Sequence, residues 1–311
     1  MKLKVLELFG GIGACSKALE RLGIEYEIAD YVEIDKYAVK SFNAIHNTNF
    51  EPQDICEWNK NIEVDLLMHG SPCQDFSLAG LQKSGDKGSG TRSSLMWETI
   101  RIVEKLKPKY VVWENVKNLL SKKHIHNFNA YLEIMEQLGY TNYYQVLNAK
   151  DYGIPQNRER VFTISIRKDI NKVFTFPQPQ ELKQNLRSFL KNIPYTDVKE
   201  EYKNYTNFII FNRKTDNKLI NGIYNRVWDI NGYVGTIPAR HNVLKVGEII
   251  ENRLHYRLID SQETFKLMGF DDKDYEAAIS VNAPSIVYRQ AGNSIVVNVL
   301  EAILNSLLNT K

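Results

Sequence analysis

Of the three cysteines in this 311-residue chain, Cys15, Cys56 and Cys73, one stands in a setting built for reactivity. Val64-Asp-Leu-Leu-Met68 is an apolar run short enough to be a buried strand of a parallel sheet. At Gly70-Ser71-Pro72 the chain must turn, because glycine is free in φ and proline fixes its own. Cys73 therefore falls just past the carboxyl end of a strand, where open α/β sheets place ligands and reactive groups. Gly80, Gly85, Gly88 and Gly90 then space a polar segment without a periodic apolar face until about Ser94, which reads as a mobile flap over 74–93 beside the thiol. The competing reading is an inert buried cysteine at a strand end, and the turn and the flap argue against it.

A second constellation lies at the amino end. Lys2–Leu8 reads as a strand, Phe9-Gly-Gly-Ile-Gly13 as a glycine turn and Ser16–Leu22 as a helix ended by Gly23. That order brings a nucleotide-type cofactor against a helix amino terminus, although Ser16 takes the place of a third glycine. The next strand, Tyr26–Ile34, carries Glu33 at its end, 20 residues beyond Gly13. An acid there accepts hydrogen bonds from ribose hydroxyls. Gln53-Asp54-Ile55 is expected at another strand end, with Asp54 able to meet an adenine amino group. Lys109–Trp113 is a strand that delivers Glu114-Asn115-Val116 to the same rim as Cys73. Asn142–Asn148 and Val161–Ile166 flank Asp151–Arg160, and so short a link suits an antiparallel pair and hence a mixed sheet.

The elements that hold these groups alternate. Helices are expected at Lys36–His46, Leu95–Leu106 and Phe128–Leu138, the last ended by Gly139, and strand–helix alternation specifies an α/β domain. Apolar content of 43% and charged content of 25% suit a soluble globular protein. No run of 18 apolar residues exists, and MKLKVLELFGG reads as a first strand, not a signal peptide. Three cysteines without metal-ligand spacing fit a reducing cytoplasm and no metal site. The net charge of +3 conceals an asymmetry, since residues 168–257 hold 15 Lys/Arg against 9 Asp/Glu. The same segment holds Phe174, Phe176, Tyr202, Tyr205, Phe208, Phe211, Tyr224, Trp228 and Tyr233. Basic residues among aromatics suit a polyanion with flat bases, and a solvated basic surface over a small core explains them equally. Phe176-Pro-Gln-Pro179 reads as a linker. Helical pattern returns in Ser261–Met268 and in an amphipathic last element, Ser294–Leu308. The expected division is a catalytic and cofactor-binding domain over 1–167 and 285–311, with a small domain over 168–284.

In this order, LFGGIG, Glu33, Asp54-Ile55, GSPCQDFS, Glu114-Asn115-Val116, Gln156-Asn-Arg-Glu-Arg160 and Gln290-Ala-Gly-Asn-Ser294 resemble the DNA cytosine-5 methyltransferases, in particular the compact bacterial and phage restriction-modification members. The match covers nearly all of 1–166 and 256–311. Residues 168–255 match by position as the target-recognition region, with Gly235-Thr236-Ile237 as a local echo. The resemblance implies a Rossmann-like fold with a mixed, mostly parallel sheet and helices on both faces, plus a smaller, mainly β or irregular recognition domain. It implies Cys73 as nucleophile, Glu114 as the carboxylate on the base, and Arg158 and Arg160 as the arginines that contact the base and support that carboxylate. S-adenosylmethionine would be the donor and S-adenosylhomocysteine the product, held by Phe9, Gly10, Gly11, Ile12, Gly13, Glu33, Ile34, Asp54, Ile55, Gly70, Pro72, Leu95, Asn293 and Ser294, with no metal. Double-stranded DNA would be the partner, contacted by Gln74, Ser77, Arg92, Thr236 and Arg240. A monomer away from any membrane, with a cognate restriction endonuclease as a possible partner acting separately, completes the expectation. An RNA (tRNA) cytosine-5 methyltransferase of the same fold would share Cys73 and Glu114 and is the alternative. A Rossmann oxidoreductase with a catalytic cysteine leaves Gln-x-Arg-x-Arg without a role, and a non-catalytic DNA-binding module has no need of Cys73 and Glu114.

Overall fold

The computed structural model describes residues 2–71, 95–211 and 225–309. Pro72, Cys73, Gln74, Ser77 and Arg92, with the whole expected flap, lie outside the described residues. The chain divides into two compact units. The first comprises Met1–Leu147, Glu159–Gln178 and Leu300–Lys311, and the second Asn148–Arg158 and Pro179–Val299.

In chain order the elements run β1 Leu3–Leu8, α1 Ala14–Arg21, β2 Tyr26–Val32, α2 Lys36–His46, β3 Leu66–His69, α3 Met96–Leu106, β4 Tyr110–Val116, α4 Ile125–Gln137, β5 Tyr140–Asn148, the two-residue β6 Gln156–Asn157 and β7 Glu159–Arg167. Six of these strands form the sheet of the first unit in the order β2-β1-β3-β4-β7-β5. β1 pairs parallel with β2 and with β3, and β3 with β4, because a long connection returns the chain to the same end each time. β7 runs antiparallel to β4, so the sheet is mixed, and β5, on the other side of the short link, is its neighbour at the sheet edge. Strand alternation separates two cores. Leu6, Leu8 and Val32 join the α3 and α4 residues Ile102, Val103, Phe128 and Tyr131, whereas the next residue along β2, Tyr31, packs with Val39 and Phe42 of α2. Both faces are thus covered, which is why β1 is buried on both sides at Val5, Leu6 and Leu8.

The second unit continues with β8 Asp197–Lys199, β9 Tyr202–Tyr205, β10 Phe208–Phe211, β11 Arg226–Asp229, β12 Val234–Gly235, β13 Lys245–Ile250 and β14 Arg253–Leu258. Helices α5 Ser261–Lys266, α6 Asp272–Val281 and α7 Pro284–Asn293 follow, and α8 Val297–Leu308 closes the chain. Its sheet has the order β8-β14-β13-β11-β10-β9, and β12 pairs parallel with β6. Ile209, Val227, Leu254 and Tyr256 form the core under one face. Arg257 and Glu263, 4% and 0% exposed, make a two-pronged ion pair at 2.7 and 2.9 Å that fastens β14 to α5.

Several elements differ from expectation. Gln53–Ile55 is not a strand end but part of the coil before β3, pinned by buried Asp30, which accepts from Gln53 Nε2 at 3.0 Å and from Trp58 Nε1 at 2.7 Å. The strand after it is shorter than Val64–Met68 and ends at His69. The final helix starts at Val297, not Ser294, because Ser294 terminates α7 with its amide on the Ala291 carbonyl at 3.1 Å. Neither α6, opened by an Asp271–Asp274 capping box, nor α7, with Pro284 at its first position, was anticipated. Among the described residues no single helix is long and apolar enough to cross a membrane.

Candidate active site

The register of the first unit's sheet lines up the groups singled out above. Val32 pairs with Leu8, Leu8 with His69, and His69 with Trp113. One residue further along these four parallel strands come Glu33, Phe9, Gly70 and Glu114, one from each. They share the carboxyl rim of the sheet, and Glu33 and Glu114 stand three strand spacings apart, about 14 Å.

At the β1 end of this row the backbone turns sharply, with Phe9 at φ 54° and Gly13 at φ 80°. Gly13 caps α1 without a side chain, and a Cβ there would collide with the His46 and Phe42 rings, so only glycine fits. The turn rests on side chains from its own face. Tyr31 donates from its hydroxyl to the Gly11 carbonyl at 2.6 Å, and His46 Nε2 lies 3.2 Å from the Ile12 carbonyl. That carbonyl can only accept, so His46 donates to it as a neutral imidazole. Burial agrees, lowering the His46 pKa to about 4. Beneath α1, buried Glu7 accepts from the Ser16 amide at 3.0 Å and from the Ser16 hydroxyl. Ile12 is buried, in keeping with a loop fixed before any ligand arrives.

Glu33 accepts from the Gly11 amide at 3.2 Å through one oxygen and from the Asp35 amide at 2.9 Å through the other. Burial raises its pKa, while those two amides pull the other way. Such a carboxylate has about four acceptor sites, and the backbone amides around Glu33 do not use them all, which leaves room for a ribose hydroxyl. Beside it Ile34 is 68% exposed, an apolar side chain presented where a flat base would cover it. Asp54 follows Gln53, whose amide bonds the Glu33 carbonyl at 2.9 Å, and is half-buried, with Oδ1 on the Cys56 amide at 2.9 Å. Ile55 is buried in the α3-side core. These residues fit the adenosine part of a cofactor. Leu95 caps α3 and packs against the same core.

Glu114, 9% exposed, pairs through Oε1 with Arg160 Nε at 3.0 Å. The antiparallel ladder explains the pairing, since Glu114 faces Phe162 and Val116 faces Arg160, which makes Glu114 and Arg160 diagonal neighbours on one face. Ser71 Oγ, two residues before Cys73, accepts from Trp113 Nε1 at 3.2 Å and from Asn115 Nδ2 at 3.5 Å. The chain entering the cysteine loop is thereby fastened to the strand that carries Glu114.

In the second unit Arg158, 4% exposed, donates to the carbonyls of Ile237 at 3.3 Å, Gly292 at 3.1 Å and Ser294 at 2.8 Å. Gln156 takes the Ile237 amide at 3.1 Å and gives to the Leu267 carbonyl at 2.7 Å. A Cβ on Gly292 would come within 2.6 Å of the Pro238–Ala239 backbone, so that glycine lets α7 approach. Asn293 is exposed at the end of α7 and Ser294 is buried. Thr236 is exposed, with its hydroxyl on the Asn157 carbonyl at 3.0 Å, and Arg240 is exposed. Glu7, Asp30, Tyr31, His46 and Ser71 were not singled out as site residues. The one usable signal was Trp58, a tryptophan in a coil that had to bond some buried acceptor.

A family model described as C-5 cytosine-specific DNA methylase matches residues 3–309. Type II methyltransferase M2.ScrFI of Lactococcus lactis subsp. cremoris is 33% identical, with 99% of this chain and 100% of the relative covered. Type II methyltransferase M.HhaI of Haemophilus parahaemolyticus is also 33% identical, over 99% and 96%. Among solved structures, the S. pombe Dnmt2 methyltransferase aligns with a TM-score of 0.72 over 99% of both chains at 18% identity, a likeness of fold.

Proposed function

The chain belongs to the C-5 cytosine-specific DNA methylases, and from that premise we propose that it methylates a cytosine flipped out of a short duplex site, with Cys73 as nucleophile and Glu114 and Arg160 on the base. DNA is its substrate, and S-adenosylmethionine is the donor that supplies the methyl group. The observation that carries the reading is the single row Glu33, Phe9, Gly70, Glu114 at the carboxyl rim.

Cytosine C5 is a poor nucleophile, and the target carbon is shielded inside the duplex, so the base must leave the stack. Addition of the Cys73 thiolate to C6 forms the S–C bond and moves the ring's C5–C6 electron pair onto C5. Glu114 bonds N3 and the exocyclic amine and provides the proton that offsets charge gathering in the ring, help of about 10²–10⁴-fold. Arg160 fixes the plane of the Glu114 carboxyl and reaches the base O2. Arg158 acts at a distance, by clasping the segments 237 and 292–294 into one piece. Glu33 would hold the ribose hydroxyls, Ile34 and Ile55 the adenine faces, Asp54 its amino group, and the 9–13 turn the remainder of the donor. Gly70, Pro72 and Leu95 belong with these residues in the same reading, and the family resemblance assigns Asn293 and Ser294 to the donor as well. The basic segment 168–255 reads the sequence, and Gln74, Ser77, Arg92, Thr236 and Arg240 contact DNA. A monomer working in the cytoplasm, in restriction-modification or phage protection, is the proposed setting, and the type II names of the two relatives support the restriction-modification part of it.

Trapping tests the chemistry. After methylation C5 must lose its proton, which returns the electron pair to the C5–C6 bond and expels the Cys73 thiolate, and fluorine at C5 blocks that step. A 5-fluorocytosine duplex incubated with enzyme and donor should give a denaturation-resistant adduct that peptide mapping places on Cys73. An enzyme that methylates ordinary DNA yet forms no adduct would end the covalent mechanism. The same assay with tRNA in place of DNA separates the RNA-modifying alternative.

A further inference from the structure

In the 9–13 turn the Phe9 and Gly10 amides both donate to the Val32 carbonyl, at 2.8 and 3.4 Å, and the Gly13 amide donates to the Gly10 carbonyl at 2.9 Å. The Gly11 amide goes to Glu33 at 3.2 Å. Of the carbonyls, that of Gly11 takes the Tyr31 hydroxyl at 2.6 Å and that of Ile12 lies 3.2 Å from His46 Nε2. The 10–11 and 12–13 peptides are therefore closed at both ends. The 11–12 peptide is not. Its carbonyl is held by Tyr31, while its amide, the Ile12 N–H, has no partner among the described residues. Ile12 is buried, and buried amides are almost always paired. This one marks a place kept for an acceptor from outside the chain.

We infer that Tyr31 is a positioning residue for the methyl donor: its hydroxyl holds the 11–12 peptide so that the Ile12 N–H stays turned to the donor's amino-acid end. This rests on the reading that the turn holds the donor. A trans peptide is planar, with its C=O and N–H pointing in opposite directions, and no peptide bond among the described residues is cis. A hydrogen bond on the Gly11 carbonyl thus aims the Ile12 amide away from the Tyr31 ring. Without that bond the 11–12 peptide is free to rotate, because Gly11, at φ 56°, has no side chain to restrict it. The amide stands at the entrance to α1, where negative charge is favoured, and the donor's one anionic group is its carboxylate. Tyr31 itself is fixed. It is fully buried, its ring stacks on Phe42 at 3.8 Å, and a Cβ on Gly10 would come within 2.6 Å of that ring, so glycine there lets the ring lie against the turn. β2 also carries an extra residue, since Val5 pairs with Ile28 but Leu6 with Asp30. That irregularity sets the face Tyr31 takes, because a slip of one residue reverses it.

Tyr31→Phe in the full chain removes the hydroxyl and keeps the stacked ring. Calorimetric titration follows two ligands: S-adenosylhomocysteine, which has the amino-acid end, and methylthioadenosine, which lacks it. The variant should bind the first about tenfold more weakly, for the loss of one hydrogen bond, and the second as tightly as the wild type does. KM for the donor should rise in step with the first, while kcat at saturating donor and affinity for DNA change little, the pattern of lost ground-state binding. Unchanged affinity for S-adenosylhomocysteine, or equal weakening of both ligands, would leave Tyr31 a packing residue and overturn the inference. A second measurement uses the wild type and so is independent of the variant's folding. The Ile12 amide proton should move downfield in the NMR spectrum with S-adenosylhomocysteine and not with methylthioadenosine, and a proton that ignores both overturns the inference equally. Glu33→Ala separates the underlying reading. Wild-type affinity of Glu33→Ala for both ligands would remove the turn from the donor site and take the inference with it. Weakened binding by Glu33→Ala beside unaltered binding by Tyr31→Phe would sink the role of Tyr31 alone.

Discussion

Glu7 offers a measurement that isolates one buried group. It lies in β1 beneath the amino end of α1, 2% exposed, and accepts from the Ser16 amide and hydroxyl. It thereby does the work of an N-cap, because Gly13 in that position has no side chain to do so. Burial pushes its pKa up to about 7 from an ordinary 4.5, against the hydrogen bonds from Ser16, which favour the carboxylate. Between those two values the folded protein keeps a proton that the unfolded chain has released. Stability therefore falls as pH rises through that window and stays at the lower level above it. At about 1.4 kcal/mol for each tenfold change in acidity, the full cost is about 3 kcal/mol.

Glu7→Gln keeps the shape and an accepting oxygen but carries no charge at any pH. Near pH 5 it should match the wild type or fall slightly below it, since its amide NH₂ has no designed acceptor. By pH 8 it should have gained on the wild type by up to about 3 kcal/mol. Urea unfolding of both proteins at intervals from pH 5 to pH 8 gives the difference directly, and titrations common to both cancel. Two stability curves that stay parallel across the range would refute the argument, because they would mean that Glu7 does not exchange its proton on unfolding.

The other expectations concern the turn and the base pocket. Gly13→Ala puts a side chain at φ 80° and into the His46 and Phe42 rings, so donor affinity should fall at least about tenfold, with the left-handed backbone alone costing roughly 1–2 kcal/mol. Calorimetric titration with S-adenosylmethionine checks this, and unchanged affinity would show that the turn is not part of the donor site. Glu114→Gln and Arg160→Met should each lower turnover by about 10²-fold or more while DNA affinity changes little. Because the two side chains form one unit at 3.0 Å, the double variant should be little worse than the poorer single. Losses that simply add would show that Arg160 does not act through Glu114.

Polar groups at strand ends were legible because their chemistry is their own. Glu33, Glu114 and the 9–13 turn stand where an alternating strand and helix pattern must place them, and α2 runs over Lys36–His46 as expected because Asp35 caps it at 2.9 Å. The supporting residues were not legible, because they act on another residue's backbone. Whether Tyr31 reaches the Gly11 carbonyl depends on the register of β1 with β2, and no local pattern encodes that. Local signals also misled. Gln53-Asp54-Ile55 has the composition of a strand end, yet Asp30 and Trp58 hold it as coil. Ser294 precedes an apolar periodic run and so resembles an N-cap, but it stops one helix three residues before the next begins. The caps of α6 and α7 were present in the sequence and had only a weak apolar stripe beside them to mark a helix.

The division of the chain gives Gln156-Asn-Arg-Glu-Arg160 a physical reason beyond its two charges. The boundary between the units falls between Arg158 and Glu159. Arg158 spends its guanidinium on three carbonyls of the second unit, and Arg160, two residues on, spends its own on Glu114 of the first. Each anchor is local to its own unit, and the link between them is covalent and only one residue long. A lysine at 158 could not span three carbonyls with a planar fork, and a lysine at 160 would not fix the plane of a carboxyl group. Arginine is therefore needed twice for different reasons. The first seats the strand that Val234 and Gly235 pair with, and the second sets the acid that meets the base.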